Sequence, residues 1–228
     1  MIQKNTADFL AGLRLNNSKD WFDTNRARYE AAKADILQLA GYLLGAMAEQ
    51  EPDLLPLSAK DCVFRINRDV RFSADKSPYK TNMGFLMNSG GKKAPSAGYY
   101  VHIEPGGNSF IAAGMYAPST AILKLVRTEI LYGFDAFRAI ISEPGFKTWF
   151  PTVEYQNHKS ARVPKGLDSN HPAAEYLRLK SFIGVLPISD EELCRAKTIR
   201  KVRSALTAAV PFVRFLNLAL LDHQASEE

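Results

Sequence analysis

With 228 residues, 46% of them apolar, the chain can build a substantial core as one large domain or two small ones, and an ordinary globular protein is expected. Its 29 basic and 24 acidic residues leave a formal charge of +5, which favours anionic partners only weakly. No apolar run approaches the roughly 20 residues needed to cross a bilayer, so no membrane association is expected. The opening Met1-Ile2-Gln3-Lys4-Asn5-Thr6 lacks the apolar core of an export signal, and a cytoplasmic location follows by default. Cys62 and Cys194 are too few for a disulfide framework and read as reduced packing residues.

Taken in order, Thr6-Ala7-Asp8-Phe9-Leu10 opens a short helix with Phe9, Leu10 and Leu13 at helical spacing, and Asn16-Asn17-Ser18 offers a turn and a new N-cap. From Trp21 and Phe22 through Tyr29, Ile36, Leu39, Leu43 and Met47, apolar positions recur every three or four residues. That spacing predicts one long helix, ended by Pro52 and Pro56, with Trp21 and Phe22 on its core face. Residues 62 to 72 read as a strand, and Ser73-Ala74-Asp75-Lys76-Ser77-Pro78 interrupts it with turn and cap formers. A second strand runs over Met83 to Met87. Ser89-Gly90-Gly91-Lys92-Lys93 is a flexible basic loop that lacks the spacer and the Gly-Lys-Ser/Thr ending of a P-loop. Tyr99 to Glu104 and Phe110 to Met115 are two more strands, and the short Pro105-Gly106-Gly107-Asn108 link makes them an antiparallel hairpin.

After Pro118-Ser119, helical spacing returns in Ile122, Val126 and Ile130, then in Phe134, Phe137, Ile140 and Ile141, giving one or two core helices. Residues 151 to 170 have no period and are rich in turn formers, as in a long surface excursion. His171-Pro172 starts a short helix over Ala173 to Lys180, and Phe182 to Leu186 is a compact apolar strand. Ser189 with Glu192 is a capping box that opens the final helix, which Pro211 should kink or divide near Ala209. Helices, then closely spaced strands, then helices argue for an α+β fold. The expectation is a single domain over residues 1–228, an antiparallel or mixed β-sheet packed with N- and C-terminal helices.

The unusual chemistry is concentrated between Phe64 and Lys80. There five basic residues, Arg65, Arg68, Arg71, Lys76 and Lys80, face two acidic ones, Asp69 and Asp75, a local charge of +3. As a strand, this run places Cys62, Phe64, Ile66, Val70 and Phe72 on one side and Arg65, Asn67, Asp69 and Arg71 on the other. Arg68 falls on the apolar side, where a guanidinium persists only with a carboxylate, backbone carbonyls or an anionic ligand around it.

Phe64-Arg65-Ile66, Arg68-Asp69-Val70-Arg71-Phe72-Ser73, Asp75-Lys76 and Pro78-Tyr79-Lys80-Thr81 together resemble the signature of an uncharacterised family, domain-of-unknown-function family 2461. Asn17, Trp21 and Phe22 are similar to its N-terminal signature, and Gly98-Tyr99-Tyr100-Val101-His102-Ile103-Glu104-Pro105 to its hairpin. Lys165-Gly166-Leu167-Asp168, His171-Pro172 and Leu179-Lys180-Ser181-Phe182 are similar to its C-terminal block. Asn67 stands where the family pattern has an aromatic residue, and Ser169-Asn170 where it has a lysine and an aspartate. The resemblance implies membership and supplies no activity.

The candidate ligand-binding residues are Arg65, Arg68, Arg71, Lys76 and Lys80, since guanidinium groups hold phosphate or carboxylate bidentately and lysines add point charge. Asp69, Asp75, Glu104 and Asp168 can pair with the same cations in a purely structural network, so a ligand site and an internal polar network both stay open. His102 and Glu104, two apart on a predicted strand, share a face, and with His171 or Asp168 they can supply a metal site or an acid–base pair; His102, Glu104 and Asp168 are the candidate acid–base residues. His171, before Pro172, reads as a loop fastener, and Tyr79, Tyr99, Tyr100 and Tyr116 read as packing residues. No zinc-type cysteine spacing, helical His-Glu-x-x-His motif or nucleophile turn is present, and whether a cofactor is used stays unknown. Three functional readings follow: a protein that binds or acts on a small anionic ligand, a nucleic-acid-binding module, and an interaction domain whose arginine network only stabilises the fold.

Overall fold

The structure, a computed structural model, describes residues 1–156 and 158–224, with side chains to 221. Helix α1 (Lys4–Leu15) buries Phe9, Leu10 and Leu13. Ser18 caps α2 (Lys19–Thr24), its side chain accepting from the Trp21 N–H. The long helix expected from Trp21 onward is divided here. Asn25 leaves helical geometry (φ −101°, ψ 21°), and α3 (Arg26–Ala48) begins after it. The Asn25 side-chain amide donates back to the Trp21 carbonyl at 2.9 Å, a local bond that competes with helix propagation. A 3₁₀ turn (Pro52–Leu54) and α4 (Ala59–Cys62) follow, the latter opened by a Ser58–Asp61 capping box.

The strand expected over residues 62–72 is corrected. Cys62 closes α4, and only Val63 and Asn67 make isolated antiparallel bridges, to Phe85 and Tyr79. The arm from 63 to 68 nonetheless pairs with the chain that leads into β1 (Met83–Asn88). The Arg68 N–H donates to the Pro78 carbonyl, Lys80 N–H to Ile66 and Phe64 N–H to Gly84. From 66 to 64 the arm advances two residues while its partner advances four, from 80 to 84, so Thr81 and Asn82 form a bulge. Beyond the arm the alternation fails: Val70 is only half-buried, and Phe72, expected on the apolar side, is 97% exposed. Apolar spacing alone could not reveal that Arg68 folds its loop around itself.

Strands β2 (Gly98–Ile103) and β3 (Ser109–Met115) form the expected hairpin, and with β4 (Phe182–Ile188) they complete a four-stranded antiparallel sheet in the order β1-β2-β3-β4. Along β2, Tyr99, Val101 and Ile103 are buried while Tyr100 and His102 are half-buried, the period of two expected of a strand with one better-covered face. Gly114 in β3 takes φ +128°, a conformation that disfavours a side chain, and its backbone closely approaches the Phe182 carbonyl.

The helical region after Ser119 is α5 (Thr120–Tyr132) and α6 (Phe134–Ser142), separated at Gly133, then a short α7 (Pro144–Trp149) with Pro at its start. Between 150 and 173 the described residues hold no regular element, and α8 (Ala174–Leu177) is a single turn. The Ser189–Glu192 capping box opens α9 (Asp190–Leu193) instead of the final helix. That helix is two, α10 (Thr198–Ala208) and α11 (Val210–Gln224), bent by 42° where Pro211 takes its place in the first turn of the second. Among the described residues, no single helix is long and apolar enough to cross a membrane.

By internal contact the chain forms two compact units, residues 1–87, 100–111 and 187–204, and residues 88–99, 112–186 and 205–228. In the first, Phe9 and Phe22 pack edge to face at 6.3 Å, Phe22 stacks on Tyr79 at 3.9 Å, and Trp21 stacks on Phe9 at 5.9 Å. In the second, Phe137 meets Phe215 at 5.4 Å and Phe146 meets Phe212 at 5.2 Å. Each unit thus has an aromatic core of its own.

Candidate functional site

All the signature cations belong to the first unit, and the structure divides them into two groups. The first group is used up inside the loop from Arg68 to Ser77. Arg68, whose side chain is 25% exposed, donates to the Asp75 carboxylate, to the Ser77 carbonyl at 3.2 Å and to Ser73 Oγ at 3.3 Å. Arg71 forks onto Asp69, Nε to Oδ1 at 2.9 Å and Nη2 to Oδ2 at 2.7 Å, and Lys76 Nζ donates to the Val70 carbonyl at 3.0 Å. The Asp75 carboxyl, bonded by Ser77 and by Arg68, is held well below the usual carboxylate range, at about 2. Three of the five candidate ligand residues are therefore loop fasteners, and the convergence expected of all five is absent.

Arg65 and Lys80 form the second group. The Lys80 ammonium lies over the Phe64 ring at 5.6 Å, and burial followed by the nearby Arg65 charge pushes its pKa down. Among the described residues neither cation has a hydrogen-bonded carboxylate or carbonyl. Arg65 does contribute to the field that lowers the Asp69 carboxyl, after the two hydrogen bonds from Arg71.

Beside Phe64 runs a continuous hydrogen-bonded chain. The Phe64 ring meets Tyr100 edge to face at 6.1 Å, Tyr100 Oη lies 3.0 Å from His102 Nδ1, and His102 Nε2 lies 3.1 Å from Glu104 Oε2. Thr81 Oγ1, carried by the bulge, donates to Glu104 Oε1 at 2.7 Å. Burial works against the Glu104 charge, but the hydrogen bonds from Thr81 and His102, helped by the Arg14 charge, outweigh it and keep the carboxyl below its ordinary range. Phe110 stacks on the His102 ring at 4.7 Å and 13°, which fixes the imidazole plane. Gly84 makes room for the phenol, because a Cβ there would stand 2.8 Å from Tyr100 Oη and equally close to the Val101 carbonyl.

Of the expected acid–base residues, His102 and Glu104 are in contact. Asp168 belongs to the second unit, exposed, and its carboxylate accepts from the Asn170 N–H at 2.8 Å in a local turn. Glu104 and His102 instead take Thr81 and Tyr100 as their partners. Tyr100, read from sequence as packing, stands two residues before His102 on the same strand face, so its place was implicit in the period of two; Thr81 carries no such signal, since the bulge depends on pairing. His171 fastens a turn as expected, its Nδ1 accepting from the Ala173 N–H at 3.1 Å. Cys62 is buried, whereas Cys194, expected to pack, is exposed at the end of α9. Around residues 161 to 178 of the second unit lies an open hollow of about 720 Å³, lined by Arg162, Lys165, Glu175 and Arg178 among others. Among the described residues, no three His, Cys, Asp or Glu side chains are grouped to hold a metal ion.

Asn17 secures the signature from outside. Its Nδ2 donates to the Tyr79 carbonyl at 2.9 Å and its Oδ1 accepts from the Tyr79 N–H at 3.1 Å, as a neighbouring strand would. Residues 5–215 match the family of conserved hypothetical proteins designated DUF2461. The chain belongs to this family. No curated protein and no solved structure matches it. Membership brings no activity with it, so the chemistry of this DUF2461 chain rests on the geometry around Phe64.

Proposed function

We propose that the protein binds a small ligand bearing a phosphate or carboxylate at Lys80 and Arg65, over Phe64 and next to the Tyr100–His102–Glu104 chain. The observation that supports this reading is the Lys80 ammonium, partly dehydrated, beside a like charge and, among the described residues, without an acceptor. Such an ammonium costs free energy when it stays charged, and an anion between Lys80 and Arg65 offsets both the dehydration and the repulsion. Arg68, Arg71 and Lys76 lie outside the proposed site, because each already has an acceptor within its own loop. A cytoplasmic setting belongs to the same proposal.

A thermal-shift screen of wild type, Lys80→Met and Arg71→Ala against inorganic phosphate, nucleotides, phosphosugars and dicarboxylates tests it. One ligand class should raise the wild-type and Arg71→Ala melting points and leave Lys80→Met unmoved. Equal shifts in all three proteins, or none in the wild type, would defeat it.

A specific observation favours a second reading. Phe72 is 97% exposed at the tip of the cross-braced loop, with the Arg71 guanidinium 5.8 Å from its ring. An exposed ring beside cations suits stacking on single-stranded nucleic acid. Binding to an oligonucleotide that weakens steeply with salt and is lost in Phe72→Ala supports this reading, and binding indifferent to both excludes it.

A further inference from the structure

We infer that Tyr100, His102 and Glu104 form a proton relay whose phenol end serves the anion held at Lys80, so that the site acts on a phosphate- or carboxylate-bearing compound with a removable O–H or acidic C–H proton. This rests on the anion reading above. The order of donors follows from the carboxylate outward. Glu104, kept ionised by Thr81 and His102, can only accept, so a neutral His102 must carry its proton on Nε2 and present the Nδ1 lone pair to the Tyr100 hydroxyl. The phenol is thereby the donor, aimed at a base. The neighbouring carboxylate orients that base and steadies its imidazolium.

The position of the phenol gives the relay its outlet. Tyr100 and Lys80 both address the Phe64 ring, the tyrosine edge to face at 6.1 Å and the ammonium over the ring at 5.6 Å. Gly84 admits the hydroxyl to this place and Phe110 prevents the imidazole from turning away. When a bound ligand X–H gives its proton to Tyr100 Oη, the phenol proton passes to His102 Nδ1. X is left with the electron pair of the broken bond, and His102 becomes an imidazolium that donates to both Tyr100 and Glu104. Reversal returns the proton to the product, and no oxidant, metal or covalent intermediate enters the balance.

The test is nitrogen NMR of the His102 ring in isotopically labelled wild type and Tyr100→Phe, titrated with inorganic phosphate, whose monoanion carries both the charge and a removable proton. The expected result is a neutral His102 in the Nε2–H form before addition, converted to imidazolium as phosphate saturates the wild type. In Tyr100→Phe, phosphate should still bind, weaker by no more than about fivefold, the worth of one neutral hydrogen bond, while His102 stays neutral. A resting Nδ1–H tautomer overturns the relay, because that nitrogen could not then receive a proton from the phenol. So does a His102 that stays neutral in wild type while the Lys80 signal follows phosphate, an outcome that leaves the anion reading standing. If no signal responds to phosphate, nor to a nucleotide, phosphosugar or dicarboxylate added in its place, the anion reading fails and the relay's role fails with it. Should Tyr100→Phe not fold, Glu104→Gln provides the same discrimination, since an amide that can donate as well as accept no longer holds His102 to one tautomer.

Discussion

The Arg68–Ser77 loop and the surroundings of Lys80 draw their cations from one short stretch, yet they spend them in opposite ways. In the loop every charge is answered from within: Arg68 by Asp75, Ser73 and the Ser77 carbonyl, Arg71 by Asp69, Lys76 by the Val70 carbonyl. Around Phe64, Lys80 feels the Arg65 charge and no hydrogen-bonded carboxylate or carbonyl answers either cation among the described residues. A basic signature is thus no evidence of a site by itself; a site is indicated where positive charge is left unmatched in a partly dehydrated place. Tyr79 separates the two regions, buried against Phe22 and gripped on both backbone groups by Asn17.

The sharpest way to break this comparison is to remove the support common to both halves. Phe22 is 2% exposed and stacks on Tyr79 at 3.9 Å, so Phe22→Ala should cost about 3–5 kcal/mol in denaturant unfolding. It should weaken loop and site together; a loss below about 1 kcal/mol would mean that the aromatic cluster is not what holds the signature in place. Next in size, Gly84→Val should cost about 1–3 kcal/mol by overpacking against Tyr100 Oη and the Val101 carbonyl, and should also displace the phenol from His102. An unchanged melting point with an intact His102 environment by NMR would show that the glycine is dispensable.

The two kinds of cation should then respond differently to deletion. Arg68→Ala should destabilise the protein by about 1–2 kcal/mol, reduced from the full worth of charged hydrogen bonds by solvent screening at the exposed Asp75 end. Its ligand-induced thermal shift should persist. Lys80→Met should do the reverse, moving stability within about 0.5 kcal/mol because an unmatched charge is removed, while abolishing the shift. If Lys80→Met proves the more destabilising of the two, Lys80 has a structural partner and the contrast collapses.

Much of this was legible in the sequence. The β2–β3 hairpin, the α+β class and the shared face of His102 and Glu104 follow from a period of two and a short glycine-rich link. Arg68's need for internal partners was also legible, from its place among apolar residues, and the structure answers it with Asp75 and the Ser77 carbonyl. The strand expected over 62–72 failed because loop formation by Arg68 outweighs β-propensity at Val70 and Phe72. Which cations stay unmatched was not legible, since Arg65 and Arg71 look alike until Asp69 chooses one as its bidentate partner. Thr81 escaped because a bulge is set by pairing between distant residues, not by composition. The turn at Asp168 was not legible for a similar reason: a carboxylate in an irregular segment readily closes its own turn, here with Asn170, and its spacing in the sequence does not reveal this.

The smallest expected effect lies in pH. Asp75 is bonded by Ser77 first and Arg68 second, and its carboxyl titrates at about 2 in the folded protein against an ordinary value near 3.8. A lowered folded value means that the stabilisation is fully present above roughly pH 4 and is lost as pH falls toward 2, because the unfolded chain takes up the proton first. The comparison of wild type with Arg68→Ala isolates the Arg68 share of this effect, since the Ser77 bond to Asp75, Glu104 and the other carboxylates are common to both proteins and cancel. Their melting points should differ by a constant amount from pH 7 to 5 and draw together between 4 and 2. A difference that stays constant across that interval would show that Arg68 stabilises its loop through Ser73 and the Ser77 carbonyl alone. Asp75 would then serve the loop through its bond from Ser77 and not as the partner of Arg68.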